Sequence, residues 1–144
     1  MTFSVKQSRI KLPKINFQKD LKDIADQVII PDMQEGIITG KDIDNNAFMP
    51  NEPKTVKRKG HNRVLIGKEK KLYNSFRSRT KGKYNVVIDL KNQRKDIGRY
   101  LQIDGIRSNT HGTKRFKFFG ISRLAEKLSL QFMEKRIKKA IQNA

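Results

Sequence analysis

The sequence predicts an α+β fold: a small antiparallel sheet packed with N-terminal and C-terminal helices, plus an extended N-terminal arm and a long loop. Three observations carry that expectation. Apolar residues recur at helical spacing near both ends of the chain, at Phe17, Leu21, Ile24, Ala25, Val28 and Ile29, and again at Leu124, Ala125, Leu128, Phe132, Ile137 and Ile141. Between these stripes, Phe76–Thr80 and Tyr84–Leu90 read as two strands joined by a Lys81-Gly82-Lys83 turn. A polar, proline-bearing stretch from Gly40 to Pro53 separates the first helix from the rest. The 144 residues, 35% hydrophobic and 33% charged, suit one domain with one modest core. We place that domain at 16–144, behind an arm at 1–15.

In the arm, Phe3, Val5, Ile10, Leu12 and Ile15 alternate loosely with basic residues, and Pro13 excludes a central strand. Asn16 is placed to cap a helix over 17–30, with Asp20 and Asp23 near its positive end. Pro31 is expected to end or kink that helix, because it lacks an N–H and its ring crowds the preceding turn. Met33 and Ile37 continue the stripe to a stop at Gly40. Asp42, Asp44 and Asn46 have the opening spacing of a calcium loop, but Ala47 stands where that loop needs glycine and Pro53 where it needs glutamate. A polar turn is the expectation instead. Phe48, Met49 and Pro50 follow, and two readings of Phe48 stand side by side: an anchor for a neighbouring subunit, or a ring folded back onto its own core.

Thr55–Gly60 reads as a short helix or turn stopped by glycine. Val64, Leu65 and Ile66 form a short buried patch, and Leu72, Tyr73 and Phe76 lie on a basic helical turn starting near Lys68. Ile97, Tyr100 and Leu101 suggest a short helix ending at Gly105, with a loop or hairpin tip over 106–113. Arg115-Phe116-Lys117-Phe118 alternates base and aromatic and is expected to run as a strand. Gly120 breaks it, and Ser122 caps the last helix.

Net charge is +19, with an isoelectric point near 10.4. The charge is segregated along the chain. Residues 20–52 hold eight acids against Lys22 and Lys41, whereas 54–83 hold twelve bases against Glu69 alone. Such asymmetry suits a subunit that meets its neighbour plus to minus, or a protein facing nucleic acid. Lys57, Arg58, Lys59 and Arg63 form one candidate contact block, and Arg77, Arg79, Lys81 and Lys83 a second. Phosphate contacts need only exposed cations, so binding by these blocks would be non-specific.

Little here points to catalysis. His61 and His111 each lie beside glycine in a basic loop, without carboxylate or imidazole partners at ligand spacing. Ser75 and Ser122 lack a nucleophile elbow, and no glycine-rich loop precedes a Lys-Ser/Thr pair. The absence of cysteine excludes a disulfide and a thiolate metal site. No apolar run approaches the roughly 20 residues that span a bilayer, and the first 15 residues lack a signal-peptide core. The expectation is a non-enzyme with no cofactor, no metal and no membrane partner.

Several short motifs stand in a fixed order: Gly40 to Phe48, Thr55 to Gly60, Leu65 to Gly67, Leu72 to Phe76, Tyr100 to Gly105 and Arg115 to Ser122. In that order the chain resembles the virion-morphogenesis, or tail-completion, proteins of the head–tail neck of tailed phages, over roughly residues 17–143. It departs from them at Lys114-Arg115-Phe116, where the family usually has a proline near the arginine. The resemblance implies helices on an antiparallel sheet. It also implies a ring of copies of this chain, sixfold or twelvefold, between portal or connector proteins and tail proteins in a virion, made in the host cytoplasm. The ring would have head-to-tail interfaces and non-specific contact with packaged DNA. Phe48, Met49, Pro50, Asp42 and Asp44 would then lie at the subunit interface. The rival expectation is a free-standing, non-specific nucleic-acid-binding protein. A metal-dependent nuclease built on the N-terminal acids is a third.

Overall fold

Asn16 opens the first helix as its short polar side chain predicts, its Oδ1 accepting from the Lys19 amide at 3.1 Å. This computed structural model describes residues 16–67, 70–91, 94–108 and 112–143. The arm expected at 1–15, the start of the helical turn at Lys68, and His111 lie outside them. Helix α1 spans Phe17–Ile24 and helix α2 Ile30–Thr39. Of the two expected outcomes at Pro31, a stop or a kink, the helical path does not stop, but the regular α-helix is interrupted just before the proline. The chain widens to a π turn over Ala25–Ile29, and the Ile30 amide reaches back to the Ala25 carbonyl. That wider turn puts Pro31 in the first turn of α2, where a missing N–H leaves no broken bond. Gly40, at φ 75°, closes α2 in the left-handed conformation.

Helix α3 covers Pro53–Lys59 and ends at Gly60, also left-handed. A single 3₁₀ turn over Tyr73–Ser75 leads into strand β1, Phe76–Lys81, which pairs antiparallel with β2, Asn85–Leu90. Helix α4, Arg94–Arg99, runs into a second π turn over Tyr100–Asp104 that stops at Gly105. Strands β3, Ile106–Ser108, and β4, Gly112–Lys114, form a second hairpin, and helix α5 spans Arg123–Gln142. The class is α+β as the sequence predicts, with the β component divided between two two-stranded hairpins.

Two further expectations need correction. Arg115–Phe118 is not in a strand; β4 ends at Lys114. The in–out alternation nevertheless persists, with Lys114, Phe116 and Phe118 buried and Arg115 and Lys117 exposed. The backbone there bonds elsewhere: the Phe116 amide donates to the Leu101 carbonyl at 2.9 Å, and the Ile43 amide donates to the Lys117 carbonyl at 3.0 Å. On α5 the expected apolar stripe is only partly covered. Ala125 is fully buried, Phe132 and Met133 pack against the core, but Leu124 and Ile141 are each 58% exposed.

One core joins these elements. Ile24, Met33 and Ile37 come from the helical N-terminal segment, Phe76 and Leu90 from the first hairpin, and Phe116 and Phe118 from the late segment. Ser122 ties α5 to α2: its hydroxyl accepts from the Ala125 amide and donates to Asp32 Oδ2 at 2.7 Å. Arg136 ties α5 to α1 through Asp23 at 3.3 Å, with its guanidinium lying over the Phe132 ring. No helix among the described residues is long and apolar enough to cross a membrane.

Candidate basic interface

The first basic block sits on α3 and the turn after it. Lys57, Arg58 and Lys59 occupy the last turn of the helix, where cations face the partial negative charge of the exposed carbonyls. Lys57 and Arg58 are exposed and Lys59 is half-buried. Burial, with the neighbouring Arg58 charge added to it, pushes the Lys59 ammonium below the ordinary lysine range. Arg63 belongs to the same surface: its amide donates to His61 Nδ1 at 3.1 Å, and its carbonyl accepts from Asn51 Nδ2 at 3.1 Å and Lys59 Nζ at 3.4 Å. These bonds fix the turn and commit His61 to a structural contact.

The second block divides in two. Arg77 lies directly across the hairpin from Asp89, and Arg79 lies one pleat further on the same face. Asp89 accepts from Arg77 Nε at 2.7 Å and from Arg79 at 2.6 Å. The Arg77 hydrogen bond first, against the opposing effect of burial, then the Arg79 hydrogen bond, holds the Asp89 carboxyl below its usual range. Arg77 and Arg79 therefore serve the hairpin. Lys81 and Lys83 at its tip stay exposed, with Lys83 Nζ 5.5 Å from the ring centre of Tyr84, itself 63% exposed. Among the described residues no hydrogen bond or ion pair joins the α3 block to the hairpin block.

The linkage at Asp89 has a measurable sign. Its folded pKa is depressed, so its stabilisation is present above the unfolded carboxylate value and is lost as pH falls through the folded value. Asp89→Asn is expected to cost about 1 kcal/mol at pH 7, a charged hydrogen bond discounted for two partly exposed arginines. Urea melts at pH 7 and about pH 2.5 check this. The gap from wild type should close in acid; an equal gap at both pH values would refute the pairing.

The expected interface residues of the long loop are mostly occupied within the chain. Asp42 Oδ1 accepts from the amides of Asp44 and Asn46, both at 2.9 Å, which is the expected Asx-type turn. Asp44 pairs with Lys117 at 3.0 Å, and that bond raises the Lys117 ammonium above its ordinary value. Phe48 takes the second of its two readings: it is buried, with its ring edge-on to Phe116 at 5.8 Å. It cannot anchor a neighbour while it holds this core position. Met49 and Pro50 remain exposed beside it.

Sequence reasoning missed Lys114, which is 5% exposed and donates to the Pro50 carbonyl, with Glu52 Oε1 at 3.9 Å. The signal was available, since Lys114 shares the inward parity of Phe116 and Phe118. Two cavities of opposite character flank the loop. One, of about 780 Å³, has Asp32, Glu35, Asp42 and Asp44 in its lining against Lys41 and Arg123. The other, of about 720 Å³, has Arg58, Lys59, Lys71, Arg94 and Lys114. Among the described residues no three His, Cys, Asp or Glu side chains gather in a group that could hold a metal ion. No protein-family model, curated protein or solved structure matches this chain.

Proposed function

We propose that this chain is a structural assembly subunit of a tailed-phage neck, forming a head-to-tail ring in which an acidic surface of one copy meets a basic surface of the next. The observation that carries this reading is the uneven charge of one small domain: Lys57, Arg58 and Lys59 crowd the last turn of α3, whereas Asp32, Glu35, Asp42 and Asp44 outnumber Lys41 and Arg123 around the cavity beside α2. A heterologous ring contact requires two different, complementary patches on each copy, and opposite charge fixes their pairing and register. The order of the short motifs and the partly uncovered apolar face of α5 support it. With a net charge of +19 the assembled copies would also attract packaged DNA without reading its sequence.

Mass measurement of the protein, alone and with connector proteins, tests this. A discrete oligomer is expected, lost when Lys57, Arg58 and Lys59 are all changed to Glu. A chain that stays monomeric with connector proteins present, yet binds DNA tightly, would sink the proposal and leave the second reading, a free-standing nucleic-acid binder. One observation favours that second reading: the exposed Tyr84 beside Lys81 and Lys83 offers a stacking ring next to phosphate-binding charge.

A further inference from the structure

The cationic cavity has a second property that a charge-pairing patch does not need: an apolar floor. Val64, Leu72, Leu101 and Phe116, all buried, lie beneath it, and Ile97 and Ile106 stand partly exposed at its edge. Its volume of about 720 Å³ falls within the range of sites that enclose a ligand or a side-chain anchor. Its lining holds five cationic side chains and one carboxylate, Glu52. Lys114 already donates to the Pro50 carbonyl and lies 3.9 Å from Glu52. Among the described residues no carboxylate forms an ion pair with Arg58, Lys59 or Arg94. Arg58, Lys59 and Arg94 thus bring positive charge to the rim of an apolar depression, where burial and Arg58 disfavour the charged form of Lys59.

We infer that this groove docks an acidic peptide segment of a partner protein, with one bulky apolar side chain on the floor and flanking carboxylates on Arg58, Lys59 and Arg94. Buried apolar anchors surrounded by charge that fixes orientation are how short segments are held in grooves. Single-stranded nucleic acid fits less well. Base stacking needs an exposed ring, and the one aromatic in the lining, Phe116, is covered and set edge-on to Phe48. Phosphates, for their part, gain nothing from an apolar floor.

Selection of a random 12-residue displayed peptide library on the intact protein tests this, followed by fluorescence anisotropy with the enriched peptides. Enrichment of sequences that combine Asp or Glu with Leu, Ile, Phe or Trp is expected. Their affinity should fall at least tenfold with Arg58→Glu and, separately, with Ile97→Glu. Both side chains are exposed enough to change without unfolding the protein, which a thermal melt verifies. Failure of the library to enrich, or enriched peptides that bind both variants as tightly as wild type, would overturn the inference. A dT20 oligonucleotide that displaces the peptides, weakened by Arg58→Glu but not by Ile97→Glu, would assign the groove to nucleic acid. The ring contact uses the exposed cations of α3, Lys57 among them, and not the apolar floor, so Ile97→Glu should leave self-assembly intact; its loss would assign the groove to a second copy. Either of the last two results also defeats the proposal.

Discussion

Gly105→Ala is expected to destabilise the protein by about 3 kcal/mol or more, enough to leave much of it unfolded at 37 °C if its stability is that of an ordinary domain. Two independent causes add at this position. Gly105 has φ 81°, a left-handed conformation that costs a residue with a Cβ about 1–2 kcal/mol. A Cβ there would also lie 2.8 Å from the Lys114 carbonyl oxygen and 2.7 Å from Thr113 Cγ2. The carbonyl belongs to a backbone that cannot retreat. Immediately after it, the Phe116 amide is bonded to the Leu101 carbonyl and Arg115 Nε to the Ile103 carbonyl, which satisfies the end of the second π turn. Gly82 is the internal control. Its φ is 66°, but a Cβ there would meet nothing within 4 Å, so Gly82→Ala should cost only the conformational term of about 1 kcal/mol. Urea melts of the two variants check the contrast. Equal losses would mean that close approach at Gly105 contributes nothing.

Where sequence and structure agree, the signal was local. The Asn16 and Ser122 caps, the glycine stops at 40, 60 and 105, and the inward parity of Phe116 and Phe118 each depend on a few adjacent residues. Where they part, the deciding interaction came from elsewhere in the chain or from a small shift of register. The sequence suggests a Lys81-Gly82-Lys83 turn, which would place Thr80 against Tyr84 and Arg77 against Val87. The observed ladder pairs Lys81 with Asn85, so the turn is Gly82-Lys83-Tyr84 and Arg77 faces Asp89. That shift of one residue at each side converts two candidate contact arginines into partners of a hairpin carboxylate. Asp89, the one acid in the Val86–Leu90 run, was the available hint.

Phe48 and Pro31 show the other limit. Local reasoning about Phe48 could not choose between neighbour and core, because the choice rests on Phe116, which arrives 68 residues later. Proline chemistry correctly marked a disturbance near residue 31. The disturbance was absorbed by a π turn, because the apolar stripe on both sides had a common core to cover. The charge segregation, in contrast, was fully legible as sequence, and the fold placed part of it around two cavities. The apolar floor of the cationic one was not legible, since Val64, Leu72, Leu101 and Phe116 come from four separate segments.

Phe118→Ala is the second large effect, expected at about 3–4 kcal/mol. The ring is 2% exposed and packs edge-on against Phe76 at 6.3 Å and Phe119 at 6.4 Å. It also lies against Gly98, where an added Cβ would come within 3.3 Å of its Cζ. Truncation therefore removes the transfer free energy of the ring and two aromatic contacts of about 0.5–1.5 kcal/mol each, some of which the remaining rings recover. The vacated space cannot close easily. Phe118 lines both the acidic cavity and a second one of about 270 Å³ beside α4, so its loss adds volume to spaces already present. Phe118→Leu keeps most of the volume and should cost about 1–1.5 kcal/mol. Chemical denaturation of both variants gives the ratio, and hydrogen exchange localises it. The Ala variant should lose protection in β2 and α4, which Leu90 and Gly98 bring to the ring, while α3 keeps its wild-type protection. A loss below 1.5 kcal/mol for Phe118→Ala would show that this ring is not central to the packing of β1 and α4.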